Sequence, residues 1–354
     1  MTSAALDTQG FTVTTAEAPP SRCSLWEFID ASGLRSLVIG PSKDPNAKVT
    51  VLLVSPESGK PVFAVKIPTT DPAGSAVKAE WQLLAYLDGL QPRHVSRTIP
   101  RTIDVVDFEG RPALVMTAVA GVPMTTSYLR RRHTATPARV AEDFAAAEAW
   151  LASLQHATNG PSAPLNMDCG VVVRLTSRFR EDERLGEDLD QLAEIYARLR
   201  ENTVPRTVVH GDFWFGNVLL TGGRVSGVVD WEGGATSGEP VRDLVRFALI
   251  YALYLDPRAV AGRRITGQRT PTDGSWGAGV THALNGTGWF PDLFRRFLGD
   301  GLARLGASPA SWRDAALAGI AEVAALTDDD PFARLNLELF RRLARRHVPR
   351  KEKQ

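Results

Sequence analysis

The stretch that most constrains this chain runs over residues 207–232, T-V-V-H-G-D-F-W-F-G-N-V-L-L-T-G-G-R-V-S-G-V-V-D-W-E. Two short apolar runs, 218–220 and 225–229, flank Thr221, Gly222, Gly223 and Arg224, the pattern of two strands joined by a polar, Gly-rich turn. Closing that hairpin sets the loop before the first strand, with His210, Asp212 and Asn217, beside the loop after the second, with Asp230. Two carboxylates and an amide oxygen gathered at one place are hard oxygen donors, the kind that hold Mg2+ and, with it, phosphate. The rest of the chain is therefore read for groups that would face a phosphate.

Bulk properties set the frame. With 354 residues, 44% hydrophobic and 23% charged, the chain is expected to be a soluble globular protein long enough for two packed lobes. A formal charge of +1 argues against a nucleic acid or a membrane surface as its main partner. Cys23 and Cys169 make neither a disulfide framework nor a metal-ligand spacing, which fits a reducing cytoplasm. Residues 1–20 contain Asp7, Glu17 and Pro19-Pro20 and lack the basic start and apolar core of a signal peptide, so they read as a flexible leader. The most apolar run, 247–255, is about half of the roughly 20 residues a membrane span needs and reads as a buried helix. No internal repeat is present. Lysine is confined to positions 43, 48, 60, 66, 78, 351 and 353 while arginine is everywhere, so a lysine inside an apolar strand stands out.

Taken in order, residues 34–40, 49–55 and 61–67 are three Val/Leu/Ile-rich segments expected to form an antiparallel meander. The third, F-A-V-K-I, contains Lys66. A lysine there commonly points to solvent, but residues 75–90 follow with a helical repeat of apolar positions, a possible Ser75 cap, and Glu80 next to the apolar stripe, where a partner for a strand lysine would sit. Residues 102–108 and 112–119 form a second hairpin, and Gly121 and Pro123 mark a linker. These features divide the chain into a small, mostly antiparallel β lobe over 21–119, a hinge at about 117–123, and a helical lobe over 120–354. In the latter, helices are expected at 137–156, 187–201, 241–255, 290–305, 311–326 and 331–346, with 159–174 loop-like and 261–288 a Gly/Thr-rich stretch with little periodicity.

The chemistry assembles from these pieces. Asp212 and Asn217, five apart, let one tight loop present a carboxylate to an incoming hydroxyl and an amide oxygen to Mg2+, with Asp230 as a second, charged ligand. Lys66 held by Glu80 would supply an ammonium to the phosphates. Phosphoryl transfer asks for little beyond such positioning and charge neutralisation.

In these motifs the chain resembles the aminoglycoside phosphotransferase-like family, the small-molecule branch of the protein-kinase-like fold. H-G-D-F-W-F-G-N matches that family's H-x-D-x-x-x-x-N loop, V-V-D-W-E its metal-binding acid, F-A-V-K-I its strand lysine and V-K-A-E-W its helix glutamate. The resemblance covers about residues 35–250 with the elements in the right order. It implies an α+β, bilobal fold in which Asp212 is the catalytic base, Asn217 and Asp230 hold Mg2+, and Lys66 with Glu80 orients the phosphates of ATP or GTP. It further implies that His210 braces the loop and that Asp243, in G-E-P-V-R-D-L, supports it. The segment L-V-M-T-A-V at 114–119 resembles the strand leading to the hinge, which implies adenine contacts through the backbone of Thr117 and Val119 with Met116 behind.

Two departures bear on function. The loop 40–48 has one glycine, Gly40, and is no G-x-G-x-x-G; Ser42, Asn46, Lys43 or Lys48 is the candidate substitute for phosphate cover, against a solvated hairpin tip. Trp214 stands where protein kinases usually carry a lysine, and is either a wall of the acceptor pocket or core packing. Only 12 residues separate Asp230 from Asp243, too few for the activation segment on which protein kinases dock a peptide. The expected acceptor is accordingly a small hydroxylated molecule, such as an antibiotic, sugar, amino alcohol or natural-product intermediate, and not a protein. The stretch 261–288 is a candidate lid, and the acidic clusters 181–183 and 328–330 are candidate attractors for a polycationic aminoglycoside or else solvated faces. The alternative to an enzyme is an inactive nucleotide-binding scaffold or sensor, whose only support is the imperfect phosphate loop.

Overall fold

The computed structural model describes residues 23–41, 47–92, 94–255 and 276–345. The leader 1–20, the loop tip 42–46 and the first part of the candidate lid, 261–275, lie outside the described residues.

The first lobe is built on five strands: β1 (Arg35–Pro41), β2 (Lys48–Val54), β3 (Pro61–Pro68), β4 (Thr102–Phe108) and β5 (Arg111–Thr117). All neighbours are antiparallel, in the order β1-β2-β3-β5-β4. Because side chains alternate across a strand, the register sorts the lobe into two faces. Val51, Val65 and Val115 stand side by side on one face and bury against Leu25 of a helix, α1 (Leu25–Ser32). That helix was not anticipated. Its start is a capping box in which Ser24 and Glu27 bond reciprocally, and Gly33 closes it in the left-handed region. The other face carries Ala64 and Lys66, and α2 (Asp71–Leu90) packs over its β4–β5 end through Val77, Leu84 and Leu87.

The expected start of α2 at Ser75 is corrected: Thr70 caps the helix, its hydroxyl accepting from the Ala73 amide, and Pro72 sits in the first turn, where a missing N–H costs nothing. Pro72 and Gly74 are poor helix formers in isolation, which argues locally against a helix starting before Ser75.

The chain then passes β6 (Val122–Pro123) and α3 (Met124–Tyr128) into α4 (Pro137–Ala157). Three short strand pairs follow among the helices: β7 (Ser162–Pro164) with β8 (Thr203–Pro205), β9 (Thr207–Val209) with β12 (Ala235–Gly238), and the hairpin β10 (Val218–Thr221) with β11 (Arg224–Val228), which β6 extends. The segment 159–174, expected as loop, holds β7 and the start of α5 (Val171–Arg178). Between β7 and β9 also lies α6 (Leu185–Arg200). The second half of the chain is helical: α7 (Val241–Leu253), α8 (Ala278–Asn285), α9 (Trp289–Arg304), α10 (Trp312–Leu326) and α11 (Asp330–Ala344). Residues 278–285 correct the reading of 261–288 as a stretch without structure, since V-T-H-A-L buries Val280, His282, Ala283 and Leu284 in one short helix.

Helix α7 is the hub of this lobe. It is apolar nearly all round and correspondingly buried. Gly319 of α10 allows the close approach, because a Cβ there would stand 2.2 Å from Val245 of α7. Phe144 of α4 meets Phe247 and Tyr251 of α7 and Phe297 of α9 in edge-on aromatic contacts with centroids 4.9–5.3 Å apart. Phe213, from the loop ahead of β10, stacks on Trp150 at 5.1 Å, which anchors that loop to the helical core. Among the described residues, no helix is long and apolar enough to cross a membrane.

Candidate active site

The loop between β9 and β10 is held from below by α7. Asp243, in the first turn of that helix, is buried and accepts the backbone N–H groups of His210 (2.7 Å) and Gly211 (2.9 Å), one on each carboxylate oxygen. Burial pushes the Asp243 carboxyl above the usual aspartate range, against the opposing pull of His210, these two N–H donors and Arg242. His210, itself buried, has both ring nitrogens engaged: Nε2 lies 2.8 Å from the Val229 carbonyl, so it donates, and Nδ1 accepts from the Asp212 amide at 3.3 Å. These bonds fix the tautomer and tie the loop to the segment that carries Asp230. Gly211 is required at its position. Its φ is +78°, and a Cβ would fall 1.8 Å from the Gly233 carbonyl, so only glycine lets the two loops touch.

Asp212 follows with its carboxylate half-exposed. Asn217 donates from Nδ2 to both the Asp212 backbone carbonyl (3.0 Å) and Oδ2 (3.1 Å), which turns its own Oδ1 away from the loop. The Asn217 carbonyl in turn accepts from the Val229 amide at 3.0 Å. The second oxygen of Asp212, Oδ1, is gripped by Arg246 of α7, from Nε at 3.0 Å and Nη2 at 2.7 Å.

From the other lobe comes a buried ion cluster. Lys66 reaches both oxygens of Glu80, at 2.7 and 2.6 Å, and Oδ1 of Asp230 at 2.5 Å. Glu80 is fully buried and also accepts the Trp231 amide at 3.1 Å, so one carboxylate joins β3, α2 and the turn after Asp230. Burial alone would lower the Lys66 pKa, but Glu80, then Asp230 and Glu232, outweigh it and hold the ammonium above its ordinary value. At Asp230 burial pulls upward and is more than offset by Lys66, with Lys48 and His210 adding to it, so its carboxyl is held below the usual range. Asp230 takes a left-handed backbone, φ 65° and ψ 64°, at the junction with a turn whose Trp231 is fully buried against His210, ring centroids 4.7 Å apart.

The expected residues are thus brought together: His210, Asp212, Asn217, Asp230, Lys66, Glu80 and Asp243 form one contiguous set of contacts across the two lobes. Met116 lies on the same face of the sheet as Lys66, whereas Thr117, paired with Phe63, turns its side chain to the other. The register adds what sequence reasoning missed. Leu37, Leu52, Ala64 and Met116 are successive partners across four strands, so they form one apolar row beside Lys66, from exposed Leu37 to buried Met116. Glu232, two residues after Asp230, pairs with Lys48 and stands 3.9 Å from Lys66. Arg246 was also missed, although its place one helical turn after Asp243 was readable. Trp214 does pack, against Phe215 at 5.1 Å and over Gly216, yet is only partly buried and stacks on Tyr254, centroids 6.0 Å and planes 30° apart.

Part of each acidic cluster is engaged within the lobe. Asp182 pairs with Arg341 at 2.8 Å, Asp330 with Arg178 at 2.8 Å, and Asp329 caps α11 through the Phe332 amide at 2.7 Å. These three acids help hold α5 and the turn after it against the last helix, while Glu181, Glu183 and Asp328 stay exposed.

The sequence profile of the phosphotransferase enzyme family (APH) matches residues 47–277, well over half of the chain. The chain belongs to this family. No curated protein matches it significantly. Among solved structures, this phosphotransferase is similar to a thermostable mutant of the aminoglycoside phosphotransferase APH(4)-Ia in its apo form, with 13% identity and a TM-score of 0.57 over 91% of this chain and 98% of that one. The same mutant protein in a ternary complex with AMP-PNP and hygromycin B gives 12% identity and a TM-score of 0.56 over 88% and 94% of the two chains. At such identities the likeness is one of fold: this is an α+β, bilobal, protein-kinase-like phosphotransferase.

Proposed function

We propose that this phosphotransferase moves the γ-phosphoryl group of ATP or GTP onto a hydroxyl of a small acceptor, with residues 21–119 holding the nucleotide and residues 120–354 carrying the catalytic loop and acceptor site on either side of a hinge at 117–123. The observation that carries this reading is that the Asp212 carboxylate is fixed at both oxygens by its own lobe, through Asn217 and Arg246, on a loop tied by His210 to the segment whose Asp230 pairs with Lys66 of the other lobe. The apolar row Leu37, Leu52, Ala64 and Met116 suits a nucleobase. The Thr117 amide already donates to the Arg101 carbonyl at 2.9 Å, so a base would meet the Thr117 carbonyl and the Val119 amide.

The donor set fits Mg2+. The Asp230 carboxylate and the outward Oδ1 of Asn217 are hard oxygens, and an ion that takes one or two protein carboxylates leaves its other positions to water and phosphate. Bound there, the metal would neutralise charge on the phosphates. The chain's own residues do the rest. Lys66 orients the phosphates, Glu80 keeps Lys66 in place, and Asp212 aligns the acceptor hydroxyl. As the acceptor oxygen forms its bond to the γ-phosphorus, the bond from that phosphorus to the β–γ bridging oxygen breaks, the acceptor proton passes to Asp212, and the nucleoside diphosphate leaves with the electron pair. A cytoplasmic setting, where nucleotide is abundant, suits such a reaction.

The test is magnesium-dependent turnover of ATP and GTP over a panel of hydroxylated acceptors. Asp212→Ala is expected to abolish transfer while retaining nucleotide binding; transfer at the wild-type rate in that variant would sink the mechanism. Metal–nucleotide binding without transfer to any acceptor would favour the scaffold reading.

A further inference from the structure

The acceptor side of the cleft is described by one stripe of α7 and the loop it faces. Arg246, Ile250 and Tyr254 are spaced four apart, so they lie along one face of the helix and its C-cap, with Arg246 at the Asp212 end and Tyr254 at the Trp214 end. At the first end sits a guanidinium, one-third exposed, bonded twice to Asp212 Oδ1. At the other is the Trp214–Tyr254 stack, with Tyr254 46% exposed. Resting on the kinase reading above, we propose that the acceptor is an uncharged, ring-bearing alcohol, a sugar or glycoside, and that Arg246 is a positioning residue for Asp212 which at the same time excludes polycationic acceptors.

Three observations carry this. The Arg246–Asp212 pair offsets the Asp212 charge, which stands beside the reacting hydroxyl and which a polyamine would otherwise seek. Part of the two acidic clusters that would attract a polycation, Asp182, Asp330 and Asp329, is committed to Arg341, Arg178 and the α11 cap. The aromatic shelf offers ring faces, against which the C–H side of a sugar ring packs while its hydroxyls stay free for hydrogen bonding. Holding Oδ1 with two parallel donors also leaves Asp212 a single oxygen, Oδ2, steadied by Asn217, to address the acceptor.

The test compares matched acceptors: a monosaccharide glycoside, its amino-sugar analogue, its uronic acid and a tetracationic aminoglycoside, each assayed for kcat/KM with Mg–ATP. Nucleotide affinity is measured alongside by calorimetry. The wild type is expected to favour the uncharged glycoside. Arg246→Gln is expected to lower kcat for every acceptor but to raise the ratio of amino-sugar to parent-sugar kcat/KM by about tenfold or more, since the ratio cancels the shared loss in positioning Asp212 and keeps only the charge discrimination. Trp214→Ala and Tyr254→Ala are expected to raise KM for the glycoside with nucleotide affinity unchanged. The proposal is overturned if the aminoglycoside or the uronic acid is the best wild-type acceptor, if the ratio is unmoved in Arg246→Gln, or if nucleotide binds and no uncharged ring alcohol is phosphorylated. Failure of Mg–ATP to bind at all would instead refute the kinase reading on which it rests.

Discussion

Asp243 offers the sharpest test of how the proposed catalytic loop, residues 210–217, is held. Its carboxylate is the buried acceptor for two backbone N–H groups, those of His210 and Gly211. Asp243→Ala leaves both without a partner, and a buried donor left unpaired costs about 1–3 kcal/mol, so the loss of stability is expected at about 2–6 kcal/mol. Asp243→Asn keeps one accepting oxygen, and its cost is expected at about half of that. The loop cannot relax toward the Asp230 turn, because the Gly211 backbone already touches the Gly233 carbonyl. It is left to shift outward and carry Asp212 with it, and a displacement of about 1 Å in a reacting group costs about 10²-fold in rate. Lys66 and Glu80, proposed to hold the nucleotide, hang on other elements, so nucleotide affinity should hold. The assays are urea denaturation for stability, calorimetry for Mg–ATP, and turnover with the best acceptor at a temperature where each variant is folded. A folded Asp243→Ala protein with wild-type kcat would refute the argument, as would a loss of nucleotide affinity equal to the loss of kcat.

Lys66→Met leaves Glu80 buried with only a backbone donor, so it should lose about 3–5 kcal/mol of stability, whereas Lys66→Met with Glu80→Leu should recover most of it without recovering turnover; a double variant no more stable than the single would show that the pair is not the source. The pH dependence follows from Asp230, whose folded pKa lies below its unfolded one. Its contribution is therefore complete above the ordinary aspartate value of about 3.9 and drains away as pH falls through the lower folded value; urea midpoints should drop on that acid side, and Lys66→Met should flatten the drop. Ala64→Phe would fill the apolar row beside Lys66, so nucleotide affinity should fall by more than about tenfold with little change in melting temperature, and unchanged affinity would exclude the row as the base slot.

What was legible in the sequence was the chemistry carried by spacing within one loop or one strand. His210, Asp212 and Asn217 share a tight loop, Asp230 ends the next strand, and Lys66 interrupts an apolar run in a lysine-poor chain, so each announced itself locally. Even the pairing of Lys66 with Glu80 was readable, because a strand followed by a packed helix has few ways to place a glutamate beside the apolar stripe. What was not legible were properties set by register and by competition. The row from Leu37 to Met116 exists only because four antiparallel strands align at particular residues, and a slip of one residue would turn it to the other face. The start of α2 was misplaced because local propensity argued against Pro72 and Gly74, while the Thr70 cap and the buried face from Ala73 onward outvoted it.

The charges show the same division with more consequence for function. Runs such as 181–183 and 328–330 look in a sequence like free negative surface, yet whether an acid is available depends on which arginine the fold brings to it. In an arginine-rich chain several are answered: Arg341 takes Asp182 and Asp188, Arg178 takes Asp330, and Arg246 takes Asp212 itself. The last pairing changes the meaning of the site. A lone aspartate at the acceptor end would welcome ammonium groups, whereas an aspartate shared with a guanidinium retains the oxygen needed to align a hydroxyl while losing much of its pull on cations. The same residue type that makes the catalytic loop recognisable is therefore a poor guide to the acceptor until its partner is known, and the partner lies 34 residues away on another element.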